Sequence, residues 1–496
     1  MATKIVQSLF DIKNLPDGAQ KVLRDFDQIA QAAMPANSKQ LVALPKIIRE
    51  LSHQMTDDRG SRRLGYMNEK TFLASYVRYF MWWNLVRLAR LFSNLDFIFL
   101  SGGGVCLDIG SGPLTLPCAL WLARPDLRQK KLVWYVMDIS QLALSLGEEI
   151  FLSVAAATGG EPWKIVRVKG PLGTAVKEKA RFVTCANMFN ELLQSRGGEP
   201  PDYLAKKYSQ ALFKYLDFES GPANEGRAAN DRSGPAIFLA EPGTPNSARF
   251  VSLMRDAFIR RGLFALAPCP HQQSCPMDGR RAGKGGANGK WCNFAFDTDD
   301  APKKLLALSA KAGIPKERAV ISFVLASAET ACKPKNCGGL SGLEKVAATE
   351  IVGKPKDCGT RESDASPKSV DEKKTFASQK SGGLLRVASD IIRLPPEREG
   401  QKPRVGHYAC SEQGLVLALS KGGKRVYSGD LLEVETAGKP KAAARFGREK
   451  VLASPKSGRR SPSQESDLGS RGRNSSRERD SRQRRDAKTG ALIVEI

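Results

Sequence analysis

The chain has 496 residues, 41% of them hydrophobic, with 77 Lys and Arg against 52 Asp and Glu and a formal net charge of +25. That length exceeds one typical domain and that apolar content is enough for a real core, which excludes a wholly disordered chain. A positive excess of this size favours a polyanionic partner, nucleic acid before a membrane surface.

No apolar run reaches the length of a membrane span. The longest candidate, Phe72 to Phe92, is interrupted by Arg78, Arg87 and Arg90, so no membrane partner is expected. Met1-Ala2-Thr3-Lys4-Ile5 lacks the apolar core of a signal peptide, and Asp11 and Asp17 are acids that a transit peptide tends to avoid. The expectation is a cytoplasmic protein, with a mitochondrial one as the alternative. Ten cysteines in such a chain point to buried thiols and metal ligation rather than disulfides.

Residues 1–95 read as a helical N-terminal region. Leu41, Leu44, Ile47, Ile48 and Leu51 recur at helical spacing, as do Phe72, Tyr76, Tyr79, Trp83 and Val86. The aromatic stripe is expected to be core, docking these helices on the domain that follows.

Residues 96–328 read as an α/β domain of alternating strands and helices. Val105-Cys106-Leu107-Asp108-Ile109-Gly110-Ser111-Gly112-Pro113 is a short buried strand, a glycine turn and a helix start. Gly110 and Gly112 permit conformations that a Cβ would hinder, and the first turn of the helix offers unpaired N–H groups. Such a unit holds nucleotide-like ligands at the carboxyl ends of doubly wound strands. The acid before the glycines, and Thr115 where a dinucleotide fingerprint wants a third glycine, suit S-adenosylmethionine (SAM) better than NAD. Leu132 to Asp138 is a second continuous apolar strand ending in an acid. Asp138 stands where an acid meets ribose hydroxyls, or else caps the next helix.

Further strands are expected at 163–168, 180–187, 236–241 and 319–327. Asn187, Asn190 and Glu191, after the fourth strand, are candidate pocket residues, with helix capping as the competing role. A Gly/Asn-rich loop falls at about 220–234. The region 329–381 is Lys/Ser/Gly/Pro-rich without periodicity and reads as a disordered insertion. A small β-rich module is expected over 382–436. A disordered, basic, Arg/Ser-rich tail over 437–496 carries 16 basic and 7 acidic residues.

Cys269 and Cys275 sit six apart among prolines that stiffen their loop, and Cys292 follows after a Gly/Lys-rich excursion. Cys410 is the best fourth member. Four thiolates suit either a [4Fe–4S] cluster or structural zinc, and spacing alone does not choose. Cys332, Cys337 and Cys358 are spares in the insertion, and Cys106, Cys118 and Cys185 read as small core hydrophobes. His271 and His407 are possible supporting or substitute ligands, or surface histidines.

Taken together, Asp108-x-Gly110-x-Gly112-Pro113, Glu241-Pro242-Gly243-Thr244-Pro245 and Pro268-Cys269-Pro270-His271 with Cys275-Pro276 resemble a known family. It is the methyltransferase-like family of the mitochondrial small ribosomal subunit, which has bacterial members. The resemblance implies a class I SAM-methyltransferase (Rossmann-like) fold, SAM bound near Asp108, Gly110, Gly112, Asp138, Asn187 and Glu191, and a [4Fe–4S] cluster on Cys269, Cys275, Cys292 and Cys410. It implies the small ribosomal subunit and its rRNA as partners. The third cysteine match lies beyond the excursion, and the tail and insertion are outside the pattern.

Two functions compete. One is an assembly or translation factor that keeps the fold and SAM. The alternative is an active SAM-dependent rRNA methyltransferase. The fourth strand ends in Cys185-Ala186-Asn187-Met188, not in the Asn-Pro-Pro-aromatic motif of exocyclic-nitrogen methylation or a Pro-Cys nucleophile. That favours the factor. A DNA-associated or generic basic adaptor is a third reading.

Overall fold

In the computed structural model the described residues are 3–56, 66–193, 198–219, 234–277, 279–280, 289–328, 382–396, 403–420, 425–435 and 491–495. The expected insertion over 329–381, with Cys332, Cys337 and Cys358, lies outside them, as does most of the expected tail.

The chain opens on strand β1 (Thr3–Ser8) before its helices begin. The alternation of Thr3, Ile5 and Gln7 with Lys4 and Val6 gives it a strand's two faces. The expected stripe of the helical region is buried at Tyr79, Trp83 and Val86 and half-buried at Phe72 and Tyr76. Tyr79 and Trp83 are 0% and 1% exposed, and the Trp83 indole N–H donates to Ser309 Oγ at 3.1 Å. Here the helix widens into a π turn over Tyr76–Met81. The extra residue per turn places Trp82 and Trp83 together inside.

The α/β sheet is built from β2 (Gly104–Ile109), β3 (Leu132–Asp138), β4 (Lys164–Lys169), β5 (Phe182–Ala186), β6 (Ala236–Glu241), β7 (Phe264–Ala267), β8 (Phe294–Asp297) and β9 (Arg318–Ser327). Its order is β4-β3-β2-β5-β6-β9-β7, with β8 paired to β9. The first five are parallel, and β9 runs antiparallel beside β6. The parallel part is a doubly wound sheet whose order reverses between β2 and β5, the place where such sheets bind ligands. With the antiparallel strand set next to the edge strand, it has the α/β methyltransferase arrangement.

Alternation along each strand feeds two cores. Cys106, Trp134, Phe182 and Phe238 pack with the N-terminal helices, while Leu107, Tyr135, Val183, Cys185 and Ile237 pack on the opposite face. Cys106, Cys118 and Cys185 are all fully buried. Burial on both faces explains the unbroken apolar runs of β3 and β6. The expected strands are present, and the short pair β7 and β8 adds to them.

The second sheet contains β10 (Gly382–Val387), β11 (Ile392–Leu394), β12 (Arg404–Ser411), β13 (Gly414–Leu419), β14 (Asp430–Glu435) and β15 (Leu492–Glu495). Its order is β1-β14-β10-β12-β13-β15, with β11 on β12. The β module is therefore wider than residues 382–436. It takes its outer strands from the expected helical region and from the expected disordered tail. Both corrections have one physical reason: β1 and β15 are short, and each is made a strand by the sheet edge it completes. Ala491 and Leu492 are 0% and 7% exposed, the burial that holds β15 in place.

Candidate functional site: a glycine crevice and a cysteine quartet

The turn after β2 is shaped by positive φ at Gly110 (+70°) and Gly112 (+53°), a region where glycine carries little strain. Asp138, at the end of β3, ties this turn down. Its Oδ2 accepts from Gly112 N–H at 2.9 Å and its Oδ1 from Ser140 N–H at 2.8 Å. Ser140 in turn caps its helix by accepting from Ala143 N–H at 3.2 Å. Asp138 thus braces the glycine turn, while the cap of the next helix, foreseen as its competing role, falls to Ser140.

Asp108 faces inward. It is 2% exposed, with Ser111 Oγ–H donating to Oδ2 and Thr184 Oγ1–H to Oδ1, both at 2.7 Å. Burial raises its pKa to about 7, against the pull of those two hydroxyls. It ties β2 to β5 beneath the glycine turn, where Gly110 and Asp138 are half-buried and Gly112 is buried.

Asn187 follows β5 with φ of +58°, and its N–H donates to Ala240 O at 2.8 Å. Asn190 and Glu191 are in the short helix Phe189–Leu192. Asn190 Oδ1 accepts from Ser247 Oγ–H at 3.2 Å, and Glu191 Oε1 accepts from Tyr66 O–H at 3.2 Å.

Three residues at the crevice escaped the sequence reading. Glu241, 1% exposed at the end of β6, accepts from Phe189 N–H at 2.8 Å and Asn190 N–H at 2.9 Å. It caps that short helix, and burial raises its pKa to about 8. Tyr66 and Met67 come from a single 3₁₀ turn, Tyr66–Asn68. Ser140 Oγ–H donates to Met67 O at 3.3 Å, and a methyl built on Gly112 would lie 3.6 Å from the Met67 sulfur. The N-terminal region therefore roofs the glycine turn. Glu241 had a signal, an acid ending a strand before Pro-Gly; the three-residue turn had none.

The four cysteines come from different parts of the fold. Cys269 and Cys275 follow β7, Cys292 precedes β8, and Cys410 is in β12 of the second sheet. The helix Pro245–Arg260 shapes the first loop. Arg255 Nε–H donates to Cys269 Sγ at 3.3 Å and Nη2–H to His271 O at 2.7 Å. Cys275 Sγ–H donates to Ser252 Oγ at 3.5 Å, and its N–H to Asp256 Oδ2 at 3.4 Å.

The thiols sense one another. Burial, then Cys269, pushes the Cys275 thiol up to about 11. Burial, then Cys275, Cys410 and Cys269, raises Cys292 well above the thiol range, and burial, then Cys269 and Cys275, does the same for Cys410. Yet no three His, Cys, Asp or Glu side chains among the described residues are grouped as for a metal ion. The two observations agree if the thiols share a neighbourhood without closing to the roughly 3.8 Å that separates thiolates on one tetrahedral zinc. The donor set is soft and all-sulfur, which fits iron–sulfur or zinc chemistry. His271 is 6% exposed, and neither ring nitrogen has a hydrogen-bond partner among the described residues. His407 is 4% exposed with Nδ1 3.3 Å from Ser389 O. Neither is a surface histidine.

Residues 227–356 match the family model described as mitochondrial small ribosomal subunit Rsm22, the family that the motifs resemble. No curated protein matches the chain. Among solved structures, magnesium protoporphyrin IX methyltransferase (ChlM) from Synechocystis PCC 6803 with bound SAH is similar at 9% identity and a TM-score of 0.28, over 63% of this chain and 100% of that one. A SAM-dependent methyltransferase from Geobacter sulfurreducens in complex with S-adenosyl-L-homocysteine is similar at 13% identity and a TM-score of 0.25, over 49% and 89%. At that distance the likeness says nothing of substrate.

Proposed function

We propose, from the Rsm22 family match across 227–356, that this chain is an assembly or translation factor of the small ribosomal subunit. It binds rRNA and keeps SAM as a ligand of its methyltransferase fold. The family match carries the proposal, and the net charge of +25 suits the partner. Among the described residues no helix is long and apolar enough to cross a membrane.

The binding role of SAM follows from the crevice. Gly110 and Gly112 give the turn its positive φ, and the Asp138 carboxylate has lone pairs beyond its N–H partners for ribose hydroxyls. The factor reading is favoured over an rRNA methyltransferase by the end of β5, Cys185-Ala186-Asn187-Met188, which carries neither the Asn-Pro-Pro-aromatic motif nor a Pro-Cys nucleophile.

Cys269, Cys275, Cys292 and Cys410 would hold a [4Fe–4S] cluster, with zinc as the alternative. When bound, the group supplies a rigid tie between the two sheets, so that its binding energy becomes folding energy. The chain's part is to present four sulfurs, exclude water and shape the first loop through Arg255.

The test is deletion of the gene. Immature small subunits should accumulate while the rRNA methylation map stays unchanged by mass spectrometry. Loss of one methyl mark, with that mark restored by purified protein and SAM, would make it an enzyme.

A further inference from the structure

Arg386 is a buried cation whose hydrogen bonds all end on neutral oxygens. It is 3% exposed. Nε–H donates to Pro268 O at 2.8 Å, Nη1–H to Gly429 O at 2.6 Å and Nη2–H to Gln7 Oε1 at 2.7 Å. Asp430 is within electrostatic reach and offsets part of the charge, but it makes no contact ion pair with Arg386 among the described residues, and its Oδ2 accepts from Tyr427 N–H at 2.8 Å. The other buried guanidinium of this region, Arg255, does have a carboxylate partner, Asp256. A guanidinium removed from water is costly unless an anion compensates it.

A closer counter-charge is indicated by what surrounds Arg386. It is the cross-strand partner of Cys410 in the β10–β12 pair. Its bond to Pro268 O holds the residue just before Cys269, and Cys292 is also within electrostatic reach. Cys410 and the Cys269 loop therefore flank one cation that has no contact ion pair, with Cys292 within electrostatic reach. Four thiolates around either an oxidised [4Fe–4S] cluster or zinc carry two negative charges in excess. Such a centre is the counter-charge that a buried arginine requires.

We propose that Arg386 is the counter-ion and positioning residue of the four-thiolate centre. Its charge offsets the excess negative charge, and its fork fixes Cys410 on the second sheet against the Cys269 loop on the first. The Gln7 bond adds β1 to the same assembly. The proposal rests on the four-thiolate reading.

The experiment compares loaded and chelator-stripped full-length protein for wild type, Arg386→Met and Arg386→Lys. In the loaded protein Arg386→Met should lower Tm, speed loss of metal to a chelator at least tenfold and, for a cluster, make its reduction potential more negative. In the stripped protein the same substitution should cost little or raise Tm, because an unpaired buried charge is gone. Arg386→Lys keeps the charge and should fall between the two. An arginine that only ties backbone carbonyls together would cost the same Tm in both states and leave potential and release rate unchanged; that result overturns the proposal. If Arg386→Met does not fold, Arg386→Lys carries the comparison, with faster metal loss in the loaded state expected and equal destabilisation of both states overturning it. A wild type that takes up neither iron nor zinc on reconstitution removes the four-thiolate reading itself, before any variant is compared.

Discussion

Asp138 accepts the Gly112 N–H at 2.9 Å across 26 positions of sequence. One carboxylate thus sets the shape of the glycine turn, and on the proposed function it also faces the ribose of SAM. Asp138→Ala should weaken SAM binding by roughly tenfold or more, since a hydrogen bond to a charged group contributes about 1.5–3 kcal/mol. Calorimetry on the folded variant reads this directly, and an unchanged affinity would place SAM elsewhere. Gly110 is a poorer probe. A Cβ there would come 2.8 Å from Met188 Cγ, so substitution would disturb packing before it blocked any ligand.

The buried Asp108 predicts a pH dependence with an unusual sign for an acid. Folded, it holds its proton up to about pH 7; its ordinary value is 3.8. Folding therefore takes up a proton between those values, and stability falls as pH rises from about 4 to about 7. Asp108→Asn keeps the bonds to Ser111 and Thr184, because the hydroxyls can turn, and removes the charge. Above pH 7 the variant should be more stable than wild type by on the order of 2–4 kcal/mol. Glu241, raised to about 8, adds a slope of the same sign, so some decline remains. If Tm of variant and wild type changed in parallel from pH 5 to pH 8, Asp108 would have to be ionised already in the fold.

For the cysteine quartet, anaerobically prepared wild type should be brown and contain iron and sulfide. Cys410→Ser should bleach it and expose the second sheet to protease, because its strand would lose its tie to the Cys269 loop. A colourless wild type with one zinc per chain would replace the cluster while keeping the four-sulfur site.

Binding to rRNA should weaken steeply with salt as condensed counterions are released. Excising residues 440–488 should lower affinity and flatten the slope of log K against log salt. Cutting the chain at 437 is the wrong experiment, because it also removes β15, which pairs in parallel with β13. An isotherm indifferent to salt would remove the electrostatic basis of the RNA proposal.

The glycine turn, the acid-ended β3 and the apolar β6 were legible because burial on both faces writes itself as unbroken hydrophobic runs. The cysteines of the first loop were legible through their prolines. What stayed hidden depends on distant partners. Nothing local marks Tyr66 and Met67 as a roof over Gly112, since a 3₁₀ turn of three residues has no periodicity. The π turn at Tyr76–Met81 shares its aromatic spacing with an ordinary helix. Arg386 reads as one arginine in an apolar strand until β12 brings Cys410 beside it.

β1 pairs with β14, joining Thr3 to Val434. β1 must therefore wait for residues synthesised more than four hundred codons later. Contacts this non-local slow folding. Until β14 emerges, β1 presents an unsatisfied edge open to pairing with other chains. The α/β sheet can form during that interval, but the second sheet closes only once β14 and β15 have been made. A chaperone, or the nascent chain's own ribosome, would have to shield the first strand meanwhile, and an N-terminal fusion would burden the edge on which the last stage of folding depends.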